Sequence, residues 1–159
     1  MDVHVVVVAW DTHHDKLEAI RKAVFGEEQN IPAELDLDGA DPSATHVLAI
    51  TAAGQPVACG RLEPSGKIGR MAVLPDWRRR GLAGRMLKEL IEKAQAAGLT
   101  TVYLHAQDSA RGFYRRFGFA STGSEFTEAG ITHQRCHRYQ DGMLSQNHIT
   151  HPLPHHVYI

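Results

Sequence analysis

The stretch Met71-Ala-Val-Leu-Pro-Asp-Trp-Arg-Arg-Arg-Gly-Leu-Ala-Gly-Arg-Met-Leu87 has the residue types and spacing that hold a phosphate. It reads as a strand, a tight basic turn with two glycines, and the start of a helix. Such a turn aims unpaired backbone N–H groups and the positive end of a helix dipole at one point. Gly81 tolerates positive φ. Ala83 and Gly84, just after Leu82 where the helix starts, keep side chains clear of a pyrophosphate. Arg78, Arg79 and Arg80 add charge-assisted hydrogen bonds. The plainer alternative is a solvated turn ahead of a helix, because short glycine motifs recur by accident.

Two commoner nucleotide sites fail on spacing. No glycine run is followed by Lys-Ser or Lys-Thr, as a Walker loop requires, and no G-x-G-x-x-G follows the first strand. A meander ahead of the motif is also the wrong order of elements for a dinucleotide fold.

The elements around the turn follow from periodicity. Val3–Ala9 is uninterrupted and β-branched, which predicts a buried strand. Asp15–Phe25 has helical spacing, with Thr12 or Asp15 as its cap. Gly26–Ala44 is acidic and turn-rich, an ordered loop or short helix that buries Ile31, Leu35 and Leu37. His46–Thr51, Pro56–Arg61 and Ile68–Leu74 form a meander, its first two strands joined around Ala53-Gly54-Gln55. Leu82–Ala97 is an amphipathic helix stopped by Gly98. Thr100–His105 is the next strand, so Ile68–His105 forms a βαβ unit with parallel strands. Ser109–Phe117 is a short helix. Extended segments near Phe119–Gly123 and Ile131–Tyr139 flank a turn at Glu128-Ala129-Gly130.

At 159 residues the chain is one domain with a real core. Residues 1–140 make that domain, and 141–159 form a tail rich in His and Pro. A net charge of −1 gives no overall attraction to nucleic acid or anionic membrane, so the arginines of the turn are a local feature. Cys59 and Cys136 make neither a disulfide framework nor a zinc spacing. His148, His151, His155 and His156 are irregularly spaced, and no metal is expected. Neither a signal peptide nor a membrane-spanning run is visible, which points to the cytoplasm.

Two motifs together carry a family resemblance. Arg78-x-x-Gly81-x-Ala83 between strand and helix resembles the acyl-coenzyme A motif of the GNAT superfamily of N-acetyltransferases. Gln107-Asp-Ser-Ala110-Arg-Gly-Phe-Tyr114-Arg-Arg-Phe-Gly118-Phe119 resembles its second block, with Gln107 where Asn is usual. Further matches resemble the ElaA-like branch. They are Arg21-x-x-Val24-Phe25-x-x-Glu28-Gln29, then Asp36, Asp38, Asp41 and His46, and Ile68-Gly69-Arg70, Leu104-x-Ala106-Gln107 and Glu128-x-Gly130-Ile131-x-His133. The likeness runs from Leu17 to Cys136, which itself stands where Met is expected.

The resemblance implies an α/β fold: a mixed central sheet with a β-meander, a splayed parallel strand pair and flanking helices. It implies acetyl-CoA as cosubstrate and a small-molecule amine as acceptor, with no nucleic-acid or membrane partner and a homodimer as an open option. The backbone of Met71, Ala72 and Val73 would pair with the pantetheine arm, and the amides of Arg79 to Gly84 would hold the pyrophosphate. Gln107, Ala110 and Tyr114 would border the donor. An N–H near Val73 would stabilise the oxyanion. Tyr114 would protonate the leaving thiolate; the unperturbed pKa values are about 10 for tyrosine and about 8.5 for a thiol. Some superfamily members carry a Glu on the fourth strand, where this chain has Lys67. The candidates for the base are therefore Glu28, His46, His105 and His133, with His133 and Glu28 ranked first by their branch-specific positions. Arg61 and Arg70 either bind a substrate carboxylate or pair with Asp38 and Asp41. By its charge, the acidic Asp36–Asp41 loop would favour a cationic amine.

Three functions compete: an acetyltransferase, which acts on a small amine or on a protein; a coenzyme A binding or sensing module without turnover; and a nucleic-acid binder using Arg78–Arg80, which the balanced charge disfavours.

Overall fold

A computed structural model describes residues 2–140; the His-rich tail and its histidines lie outside the described residues. The elements are β1 (Val3–Val8), α1 (Trp10–Arg21), α2 (Ala33–Asp36), β2 (Thr45–Thr51), β3 (Pro56–Leu62), β4 (Lys67–Val73), α3 (Leu82–Ala96), β5 (Thr101–Gln107), α4 (Arg111–Arg116), β6 (Ala120–Glu128) and β7 (Ile131–Tyr139). One seven-stranded sheet has the order β1-β2-β3-β4-β5-β7-β6. Its pairs are antiparallel except β4–β5.

Alternation in the central strands builds a core on each face. Val47 and Ala49 of β2 join Met86, Leu87, Leu90 and Ile91 of α3 on one side. Leu48, between them, joins Leu17 and Ile20 of α1 on the other, with Cys59 and Ala72. The sheet is therefore sandwiched, and its middle strands are buried on both faces.

Several expectations need correction. β1 is an edge strand paired only with β2, and its Val6 and Val7 are 37% and 41% exposed. A β-branched run alone cannot distinguish an edge from a centre. The first helix starts at Trp10, five residues early. Its N-cap is Ala9 with no side-chain cap, and the Thr12 hydroxyl donates to the Ala9 carbonyl. That helix widens into a π-helical segment, Lys22–Glu28, a form often found at functional sites. Leu35 and Leu37 are about half exposed rather than buried. The parallel pair and the two late strands stand as expected, with Ala129 and Gly130 both at positive φ in a two-residue turn.

Candidate active site

The site begins with a defect in β4. Cys59 faces Ala72 and Arg61 faces Gly69, so Arg70 and Met71 together oppose the single residue Gly60. Arg70 has φ 52°, the left-handed conformation of a β-bulge. Pairing with β5 stops at the residues just before it: Lys67 meets Tyr103 and Ile68 meets Leu104, and there the parallel ladder ends. From Gly69 onward β4 has a free edge facing β5. The Leu74 N–H donates to the Val57 carbonyl. Alternation then turns the Val73 N–H and carbonyl toward that free edge and commits Ala72 to β3.

β4 leads through a short 3-10 turn, Pro75–Trp77, into the glycine-containing turn. Gly81 is the N-cap of α3 with φ 79°, and Arg79 also lies at positive φ, 65°. This backbone presents the first N–H groups of a fifteen-residue helix to one point. Leu82, Ala83 and Gly84 of its first turn are buried. The three arginines do different things. Arg78 donates from Nε to the Val73 carbonyl at 2.9 Å and forms a two-pronged ion pair with Glu28. Arg80 lies over the Trp77 ring and donates to the Asp76 carbonyl. Arg79 supplies the strained backbone.

Where β4 and β5 part there is a cavity of about 320 Å³. Met71, Gln107, Tyr114 and His133 line it, as do Lys67, Arg70, His105 and Glu128, with Phe25, Ile31 and Leu35 as an apolar wall. Tyr114 is buried between Phe113 and Phe119, with Ala110 also buried one turn before it. Burial pushes its phenol well above the usual range, so it holds a proton at neutral pH. His133 Nδ1 is 2.7 Å from the Ile131 carbonyl. A carbonyl only accepts, so Nδ1 carries the hydrogen and the neutral ring keeps its lone pair on Nε2. His105 has the same polarity, with Nδ1 3.0 Å from Glu128 Oε2. Burial first, then the Lys67 ammonium, push the His105 pKa down; the Glu128 bond pulls the other way without prevailing.

Neither Glu28 nor His46 is among the residues lining the cavity. Glu28 is engaged by Arg78. His46 is buried against Trp10, and its Nε2 donates to the Asp41 carbonyl. Gln107 donates to the Gln29 side chain. Arg61 and Arg70 take the second of their two expected roles. Arg61 binds Asp38, Asp41 and Glu63, Arg21 binds Asp36 and Asp41, and Arg70 binds Asp36 and Asp38. The acidic loop is thus engaged internally by three arginines, while Asp36 and Asp38 also line the cavity. No group of three or more His, Cys, Asp or Glu among the described residues is arranged to hold a metal. No described helix is long and apolar enough to cross a membrane.

Sequence reasoning named Glu128, Phe25, Ile31 and Leu35 but gave none of them a place in the site, where all four line the cavity. The signal for Glu128 requires knowing that β7 inserts between β5 and β6; in register His105 is level with Arg135 and Thr122, and Glu128, at the end of β6, reaches His105 through its side chain.

The model of the acetyltransferase (GNAT) domain matches residues 13–137. The chain belongs to the GNAT acetyltransferase family. Among its relatives is the uncharacterised N-acetyltransferase YjcF of Bacillus subtilis, 34% identical over 72% of this chain and 84% of that protein. The same organism's uncharacterised protein YyaT is 35% identical over 76% and 84%. The crystal structure of Escherichia coli ElaA superposes with a TM-score of 0.77 at 26% identity, covering 86% of this chain and 99% of that one. An acyl-CoA N-acyltransferase from Pseudomonas aeruginosa gives the same values. GNAT membership makes the chain an acyltransferase that draws on an acyl-CoA donor. The free β4 edge, the left-handed Gly81 and the small residues after it suit a pantetheine arm and a pyrophosphate.

Proposed function

We propose that this GNAT protein moves an acetyl group from acetyl-CoA to the primary amine of a small molecule by direct attack. The observation that carries this reading is continuity along β4. One strand runs from a cavity holding a protonated tyrosine and two imidazoles, along a free backbone edge, to the glycine turn at the N-terminus of α3.

The donor supplies the activated acetyl carbon as a thioester. The amides of Arg79 to Gly84, with Arg79 and Arg80 beside them, hold its pyrophosphate, and Met71–Val73 guide its arm. The Val73 N–H on the free edge is a hydrogen-bond donor for charge that develops on the acyl oxygen. Tyr114 delivers its proton to the leaving sulfur. The transfer turns the thiolate into a neutral thiol and leaves the charge on Tyr114, where burial disfavours it, so the proton that His133 takes from the amine returns to Tyr114 to close the cycle. His133 accepts the amine proton on Nε2. Glu28 contributes by fixing Arg78, which in turn holds the Val73 carbonyl. A second reading gives the base role to His105, because the Glu128 carboxylate orients that ring and stabilises its protonated form. A cytoplasmic location goes with the donor.

The test is an amine library, with peptide lysines included, screened with acetyl-CoA for free-thiol release. A small amine that gives saturable release supports the proposal. No release from any amine, with acetyl-CoA still bound, makes the chain a coenzyme A binding module instead.

A further inference from the structure

Ile68-Gly69-Arg70 has no part in the chemistry above, yet Arg70 stands where two halves of the site meet. Its backbone forms the left-handed bulge just past the last β4–β5 pair, where the donor slot opens. Its side chain crosses to the loop that walls the cavity. Nε and Nη2 donate to the Asp36 carbonyl at 3.2 and 2.9 Å, and Nη2 reaches the Leu35 carbonyl at 3.3 Å. Nη2 also bonds Asp38 at 3.1 Å, and Nε lies 3.0 Å from an Asp36 carboxylate oxygen. Leu35 and Asp36 end α2, a single turn whose last carbonyls have no helical donor. Arg70 donates to both, sharing the Asp36 carbonyl with Arg21 Nη2 at 3.1 Å.

Arg21 and Arg61 hold Asp36 and Asp38 toward α1 and β3, and Arg70 is the side chain that ties the wall to the β4 bulge. Leu35 is 53% exposed although it lines the cavity, and its own packing cannot fix its position. The cavity also touches Asp36 and Asp38, the two residues whose side chains Arg70 binds.

We propose that Arg70 is a positioning residue for the acceptor: it clamps the Ile31–Asp38 wall to the β4 bulge, so that acceptor affinity depends on it while donor affinity does not. The proposal rests on the reading of this cavity as the acceptor end. Loss of the side chain leaves no carboxylate orphaned, because Arg21 still binds Asp36 and Arg61 still binds Asp38. Glycine adopts the bulge conformation without strain, so Arg70→Gly keeps the slot and removes the clamp.

The experiment compares the wild type, Arg70→Gly and Arg70→Lys as full-length chains. With an amine found by thiol release, Arg70→Gly should raise the acceptor KM at least tenfold and change the acetyl-CoA KM and kcat by less than threefold. Arg70→Lys should fall between, since an ammonium cannot span the carbonyls and carboxylates together. Hydrogen exchange without ligand should speed up at least tenfold in amides 33–38 of Arg70→Gly and stay unchanged along β5. A parallel rise in both KM values, or unaltered acceptor KM, overturns the proposal. Should no amine be acetylated, the reading of function fails by itself, and exchange alone judges the clamp; unchanged protection of 33–38 overturns it.

Discussion

Met71 Sδ occupies the space beside Gly60 that any larger residue there would need: a Cβ built on Gly60 would lie 2.5 Å from that sulfur. Leu90 and Val47 close the other sides at 3.2 Å. Gly60 is also the residue the Arg70–Met71 bulge faces. Gly60→Ala should therefore cost about 1–3 kcal/mol through overpacking, read as a lower urea midpoint. Because relief requires Met71 to move, the acetyl-CoA KM should rise as well. A stability loss with unchanged KM would separate the bulge from donor binding.

Gly81 lies at φ 79° at the start of α3. Gly81→Asp puts a carboxylate where phosphates are to bind. Acetyl-CoA should raise the melting temperature of the wild type and leave that of the variant unchanged. An equal shift in both would place the pyrophosphate elsewhere.

Tyr114→Phe keeps the buried ring and removes only the hydroxyl. Turnover should fall about 10²–10⁴-fold, the range for one proton-transfer group, with the acetyl-CoA thermal shift retained. Full activity would remove Tyr114 from the acid role.

The pH profile separates the two imidazoles. The His105 pKa lies below its ordinary 6.5 because of burial and Lys67. If His105 is the base, kcat/KM rises with pH through a limb below 6.5. Lys67→Met removes a neighbouring cation, makes protonation easier and moves the limb up. Glu128→Gln removes the stabilising carboxylate and moves it down. A limb that ignores both changes and disappears in His133→Gln assigns the base to His133.

Asp41 is buried and bonded by Arg21 at 2.9 and 3.1 Å and by Arg61 at 3.0 Å. Burial alone would raise its pKa; the hydrogen bonds and charges of Arg21, then Arg61, more than offset this and hold it below the usual range. Its stabilisation is thus full above the unfolded value of about 3.9 and fades as pH falls through the folded value. Asp41→Asn should cost about 3–5 kcal/mol at pH 7, since it breaks a buried ion pair from one side. The gap from wild type should narrow below pH 4 in chemical denaturation. A constant gap would mean that Asp41 acts by shape and not by charge.

Much of this site is local in origin and could be read locally. Gly81 and the small residues after it mark a tight turn into a helix because the needs of φ and of close approach are met within a few residues. The spacing of Leu82, Met86 and Leu90 marks a helix for the same reason. The bulge was hidden: Ile68–Leu74 reads as an ordinary strand, and only the two-against-one register with Gly60 reveals the kink. Glu28 and His133 look alike as candidate bases along the chain, but one meets Arg78 and the other faces the cavity.

By itself the chain order determined most of the elements and the family, because turn chemistry, helical period and motif spacing are short-range properties. Tertiary structure decided which strands part, which carboxylates are neutralised by Arg21, Arg61 and Arg70, and which imidazoles share a cavity with Tyr114. Those outcomes depend on strand order and on pairs such as Arg70 and Asp36, 34 residues apart, which only the folded sheet brings into contact.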